Sequence, residues 1–165
     1  MLAVSRTVIG ARASRVRSIR NHPATSIPGC PSSLLPTASR AASLSSGSAA
    51  GLVFTPHLVP MTRGVLVTIY CRGNATTGEC LDAARRFYAG RAFIRVTDKP
   101  PQTKWATGSN LAFVSYAADP ERNLVIAMGV VDNLGKGAAG QAVQNANLIC
   151  GLPETAGLDG APVWP

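Results

Sequence analysis

Acidic and aromatic residues are both missing from the first fifty positions. A stretch built from Ser, Arg, Ala and Pro without aromatic anchors buries too little apolar surface to offset its ordering entropy. Residues 1–50 are therefore expected to be disordered. That head also distorts the net charge of +8. Its six Arg contribute +6, whereas residues 51–165 set seven Arg and three Lys against all eight acids, leaving +2. The basicity lies outside the part that looks folded, which argues against a nucleic-acid-binding domain. Long apolar runs are lacking as well. Nothing approaches the ~20 residues of a membrane-spanning helix, so no membrane partner is expected and the chain reads as soluble and cytoplasmic. The four cysteines include no C-x-x-C pair and no metal-ligand spacing. They read as free thiols in a reducing compartment, with no metal site. An Arg-rich, Ser-rich, acid-free head is also how an organellar transit peptide reads. Out-of-frame codons in a GC-rich gene would give a similar mixture.

From residue 51 the character changes. "GLVFTPHLVP" and "RGVLVTIYC" are β-rich runs, the second centred on Val65–Cys71. In "ATTGECLDAARRFYAG", Thr76 and Glu79 form a capping-box pattern, Cys80, Ala84, Phe87 and Tyr88 share one helical face, and Gly90 is a helix stop. "AFIRV" is a short strand and "TDKPPQTKWATGSN" a long loop. "LAFVSYA" and "LVIAMGVV" are strands joined by the turn chemistry of "ADPERN". The second, apolar throughout, is expected to be covered on both faces. A closing helix is expected over Gly137–Ile149, packed through Ala139, Ala142, Val143, Ala146 and Ile149, and ended by Gly151 and Pro153. The order β-β-α-β-β-β-α predicts an α+β domain over residues 51–165, a mostly antiparallel sheet with helices on one face, preceded by the disordered head.

The segments "FTPHLVPMTRGVL", "GSN", "VVDNLGKGAAGQAVQNANL" and "GLPETAGL" follow one another in that order. As a set they closely resemble the C-terminal part of the N-acetyl-gamma-glutamyl-phosphate reductases of arginine biosynthesis. The resemblance covers residues 51–165 and does not reach residues 1–50. It implies an NADPH-dependent reductive dephosphorylation. A cysteine thiolate attacks the acyl phosphate and releases phosphate, hydride reduces the resulting thioester to N-acetylglutamate semialdehyde, and a histidine acts as acid and base. It also implies a dinucleotide-binding domain joined to an α+β catalytic and dimerisation domain like that of glyceraldehyde-3-phosphate dehydrogenase, and a homo-oligomer. No glycine-rich loop following a strand is present in these 165 residues. Cys30, in "IPGCPSSLLPTA", departs from the P-G-C-Y-P-T pattern at Pro31 and lies too close to "FTPHLVP". No H-R-H-x-P-E-I segment precedes Gly51. The chain is thus expected to be a truncated or frame-disrupted reductase, inactive alone, with no catalytic residue of its own. A non-enzymatic module that pairs with an intact subunit is the alternative.

Several residues remain as site candidates. In "DNLGKG", Gly135 and Gly137 would let backbone amides approach a ligand at a helix start. Lys136 there is disfavoured by the helix dipole unless an anion sits nearby. The resemblance implies that Asn133 touches the nicotinamide carboxamide of NADP, with Gly135 and Lys136 shaping that end of the pocket. Arg63 could hold a phosphate or carboxylate of N-acetylglutamyl phosphate or the semialdehyde, and Ser109 and Asn110 could hydrogen-bond the substrate. Each has an ordinary alternative: a strand-end Arg, a turn. His57 reads as structural, and Cys71, Cys80 and Cys150 as packed thiols.

Overall fold

The computed structural model describes residues 3–12 and 53–163. Cys30 and most of the head lie outside them. Seven of the elements follow the expected order: β2 (Val53–Val59), β3 (Val65–Arg72), α1 (Thr77–Phe87), β4 (Ile94–Val96), β5 (Ala112–Asp119), β6 (Leu124–Val131) and α2 (Gly140–Ile149). A short 3-10 helix, Thr103–Ala106, interrupts the long loop, and a π-helical turn, Gly135–Ala139, leads into α2. The head departs from expectation at Ala3–Arg12, which forms a strand, β1. Its β-branched residues Val4, Thr7, Val8 and Ile9 suit a strand despite Arg6 among them and Arg12 at its end.

The strands form one sheet in the order β2-β1-β3-β6-β5-β4. Pairing is antiparallel at β1–β2, β3–β6 and β5–β6, and parallel at β1–β3 and β4–β5. The β5–β6 hairpin turns through Pro120–Asn123, with Asn123 at φ +50° and its N–H on the Pro120 carbonyl. Strand β6 is central in the sheet yet only half-buried along most of its length. Its continuous apolar run was expected to be covered on both faces. Among the described residues that cover is incomplete.

Helix α1 begins where its capping box predicts. The Thr76 hydroxyl accepts from Glu79 N at 3.3 Å, and the Glu79 carboxylate accepts from Thr76 N at 2.8 Å. The Thr77 hydroxyl accepts from Ala118 N at 2.9 Å, which seats the helix on β5. The expected face is met in part, with Ala84 buried and Cys80 and Tyr88 half-buried. Leu81 is buried as well, while Phe87 is 75% exposed and meets Tyr88 edge-on.

Helix α2 inverts its expected face. Gly140, Gln144 and Asn147 point inward, whereas Val143 is exposed and Ile149 is 84% exposed. The cause is polar pairing, since Gln144 and Asn147 find hydrogen-bond partners that repay their burial. The apolar stripe is left outside. Cys150, expected to be packed, ends the helix exposed.

Candidate functional site

Asp132, directly after β6, organises the region where the expected site residues fall. It is fully buried. Arg63 Nη2 lies 2.9 Å from both of its carboxylate oxygens. Gly108 N donates to Oδ2 at 2.6 Å, and Leu134 N and Gly135 N donate to Oδ1 at 2.7 and 2.8 Å. One carboxylate therefore joins the loop before β3, the "GSN" loop and the turn that opens α2. Burial alone pushes its pKa up. The N–H groups of Gly108, Gly135, Arg63 and Leu134 outweigh that penalty and hold it below the usual aspartate value.

This arrangement answers the conflict posed by Lys136. The anion that a helix start attracts is built into the chain, because Asp132 accepts from the first amides of the turn and its carbonyl accepts from Gly137 N at 2.8 Å. Those amides are not free to cradle a ligand, as the glycine spacing had suggested. The glycine at 135 has another cause: a Cβ there would stand 2.4 Å from the Ser109 carbonyl oxygen. Close packing of the turn on the "GSN" loop excludes a side chain.

The remaining candidates fall around this hub. Asn133 accepts from Gly64 N through Oδ1 at 2.9 Å, so it ties the turn to the start of β3. Arg63 is about one third exposed, and its Nε is buried without a hydrogen bond. Ser109 makes turn bonds, donating to the Ala106 carbonyl at 3.0 Å and accepting from Leu111 N at 3.2 Å. Asn110 is buried and donates through Nδ2 to Gln144 Oε1 at 3.1 Å, while its own Oδ1 has no hydrogen bond. That oxygen lies against Gly140, where a Cβ would come within 2.4 Å of it.

Lys136 Nζ donates to Gln144 Oε1 and sits 5.4 Å from the centroid of the buried Phe93 ring. Burial pushes its pKa down, against the opposing pull of the Glu154 charge. Gln144 and Glu154 were not anticipated from sequence. Gln144 lies on a helix assigned from its apolar neighbours and Glu154 follows the stop read from Gly151 and Pro153, and only the fold-back of residues 151–158 brings Glu154 alongside.

Among the described residues no cluster could hold a metal ion, and no helix is long and apolar enough to cross a membrane. His57 is exposed on β2. Burial, reinforced by the Glu79 charge, pushes the Cys80 thiol up, which is opposite to activation.

A family model described as "Semialdehyde dehydrogenase, dimerisation domain" matches residues 36–133. Over 122 residues the chain is 94% identical to the N-acetyl-gamma-glutamyl-phosphate reductase of Methylobacterium sp. (strain 4-46), covering 74% of this chain and 38% of that protein. It is 87% identical over 124 residues to the protein of the same name from Bradyrhizobium sp. (strain ORS 278), covering 75% and 38%. At 46% identity over 123 residues, the Heliobacterium modesticaldum protein of that name is covered to 35%. The chain thus spans about two fifths of the length of the curated relatives it matches.

Proposed function

Because the chain belongs to the semialdehyde dehydrogenase dimerisation-domain family, we propose that residues 51–165 serve as the dimerisation and nicotinamide-facing region of an N-acetyl-gamma-glutamyl-phosphate reductase acting in the cytoplasm. The reaction is the NADPH-dependent conversion of N-acetylglutamyl phosphate to N-acetylglutamate semialdehyde. The observation that carries this reading is the Asp132 hub. It gathers Arg63, the Ser109–Asn110 loop and the Asn133–Lys136 turn into one place.

The residues fit a nicotinamide through side chains rather than backbone. With the turn amides bonded to Asp132 and Asn133 Oδ1 bonded to Gly64, the Asn133 Nδ2 group is what this turn offers to a carboxamide oxygen. When bound, NADPH supplies the hydride. Arg63 meets the substrate's phosphate or carboxylate with the guanidinium edge that Asp132 does not engage. Ser109 and Asn110 hold their loop in register beneath it. Lys136 contributes a partly buried ammonium at the same end of the pocket.

A second reading, an oligomerisation module that pairs with another copy or an intact subunit, draws support from the half-buried central strand β6 and the outward apolar stripe of α2. The two readings are compatible, and both expect self-association.

A chimera tests the catalytic reading. Residues 51–165 replace the aligned region of the Methylobacterium reductase, and phosphate-dependent NADP reduction is followed with the semialdehyde as substrate. The chimera is expected to retain kcat/KM within about tenfold of the parent. Asn133→Ala within it is expected to raise the KM for NADP several-fold. A folded, dimeric chimera without activity, or an Asn133→Ala chimera with unchanged KM, contradicts the proposal.

A further inference from the structure

Residues 151–158 fold back along α2 and are pinned there. Leu152 N donates to the Asn147 carbonyl at 2.8 Å, and the buried Asn147 Nδ2 donates to the carbonyls of Glu154 and Ala156 at 3.2 and 2.9 Å. This brings the Glu154 carboxylate to the inward face of α2, where Gln144 Nε2 donates to Glu154 Oε1 at 2.5 Å. The other end of the same amide, Gln144 Oε1, accepts from both Lys136 Nζ and Asn110 Nδ2.

Donor and acceptor chemistry makes this chain directional. An ionised carboxylate can only accept and an ammonium can only donate. The nearly buried Gln144 amide therefore has one satisfactory orientation, with its nitrogen toward Glu154 and its oxygen toward Lys136 and Asn110. Turned over, it would set acceptor against acceptor and donor against two donors, at the cost of unsatisfied buried polar groups. Lys136 is drawn to the oxygen that Glu154 fixes, and this holds the ammonium over the Phe93 ring.

We propose that Glu154 is a positioning residue for Lys136, acting through the Gln144 side-chain amide, so that the segment 151–158 belongs to the site. The significance of this for cofactor binding rests on the reading of Lys136 given above. The positioning itself does not.

The test uses the full 165-residue chain without cofactor and reads the NMR signals of the Lys136 ε-methylene protons, which the Phe93 ring current displaces upfield. Glu154→Ala and Gln144→Met are expected to abolish the displacement. Glu154→Gln, whose amide oxygen still accepts from Gln144 Nε2, is expected to restore it. Glu154→Met, of similar length but without an oxygen acceptor, separates hydrogen bonding from packing: it is expected to lose the displacement as Ala does, and retention there overturns the proposal. Unchanged Lys136 signals in folded Glu154→Ala and Gln144→Met, or equal loss in Glu154→Gln, overturn the proposal. Should the variants not fold, the wild-type chain decides. A Gln144 Nε2 proton is expected to be shifted downfield and protected from exchange by its bond to Glu154, with the Lys136 ε-methylene signals displaced upfield. A freely exchanging Gln144 amide, or undisplaced Lys136 signals, overturns the proposal. Lys136→Ala in the chimera judges the cofactor reading separately: an unchanged KM for NADP there removes the cofactor role and leaves the positioning standing.

Discussion

Replacing Asp132 with Asn keeps the shape of the side chain and removes both its charge and one of its acceptor oxygens. Two N–H groups, of Leu134 and Gly135, converge on Oδ1, and Gly108 N lies 2.6 Å from Oδ2. If the amide oxygen of the variant serves the first pair, its NH2 group is forced against the Gly108 donor. That leaves a buried N–H unsatisfied, at roughly 1–3 kcal/mol, and weakens hydrogen bonds that had been charge-assisted. The ion pair with Arg63 adds less, because that side chain is about one third exposed. Together the loss is about 3 kcal/mol, which for a domain of this size lowers Tm by roughly 10–20 °C. The pH dependence supplies a second readout. The folded pKa of Asp132 lies below the ordinary aspartate value near 4. Its contribution is therefore complete above the unfolded value and drains away as pH falls through the folded one. Thermal unfolding followed by circular dichroism from neutral pH into acid should show a steep acid limb in the wild type and a flatter one in Asp132→Asn. A variant melting within a few degrees of the wild type, with the same acid limb, refutes the claim that this carboxylate is the hub.

Four further substitutions probe packing, helix capping and the exposed stripe of α2. Gly140→Ala places a Cβ 2.4 Å from Asn110 Oδ1 and 2.9 Å from the Gly135 carbonyl; it should cost about 1–3 kcal/mol in urea unfolding, whereas Gly78→Ala, with nothing within 4 Å, should be neutral or stabilising. Thr76→Ala removes the cap of α1 and should lower stability by about 1 kcal/mol by the same measure. Ile149→Ser, at a side chain that is 84% exposed, should leave stability within about 0.5 kcal/mol and reduce self-association in light scattering; a large destabilisation would mean that the stripe is buried.

Much of the framework was legible in the sequence because it depended on local chemistry. The capping box at Thr76 and Glu79, the hairpin at Pro120–Asn123 and the apolar run Leu124–Val131 each specify their element within a few residues. What escaped was decided by contacts distant in sequence. The inward face of α2 was misassigned because Gln144 and Asn147 are polar, and their burial is repaid only by Asn110, Glu154 and Ala156. The apolar stripe that periodicity assigned to the core is an outward surface instead. Asp132 was quoted within its motif but given no role, since nothing local shows that Arg63, 69 residues earlier, would meet it. The glycines of "DNLGKG" signalled close approach correctly, but the approaching group at Gly135 is the Ser109 carbonyl rather than a ligand. Strand β1 was hidden by the arginines of its segment.

Amide NMR of the wild-type chain tests most directly whether Asp132 assembles the site. The account predicts that the Gly108, Leu134 and Gly135 amide protons are shifted downfield and protected from exchange, and that all three titrate together with the Asp132 carboxyl carbon. If any of the three exchanges freely, or if they titrate apart, then Asp132 does not join these loops and the site is not built as described.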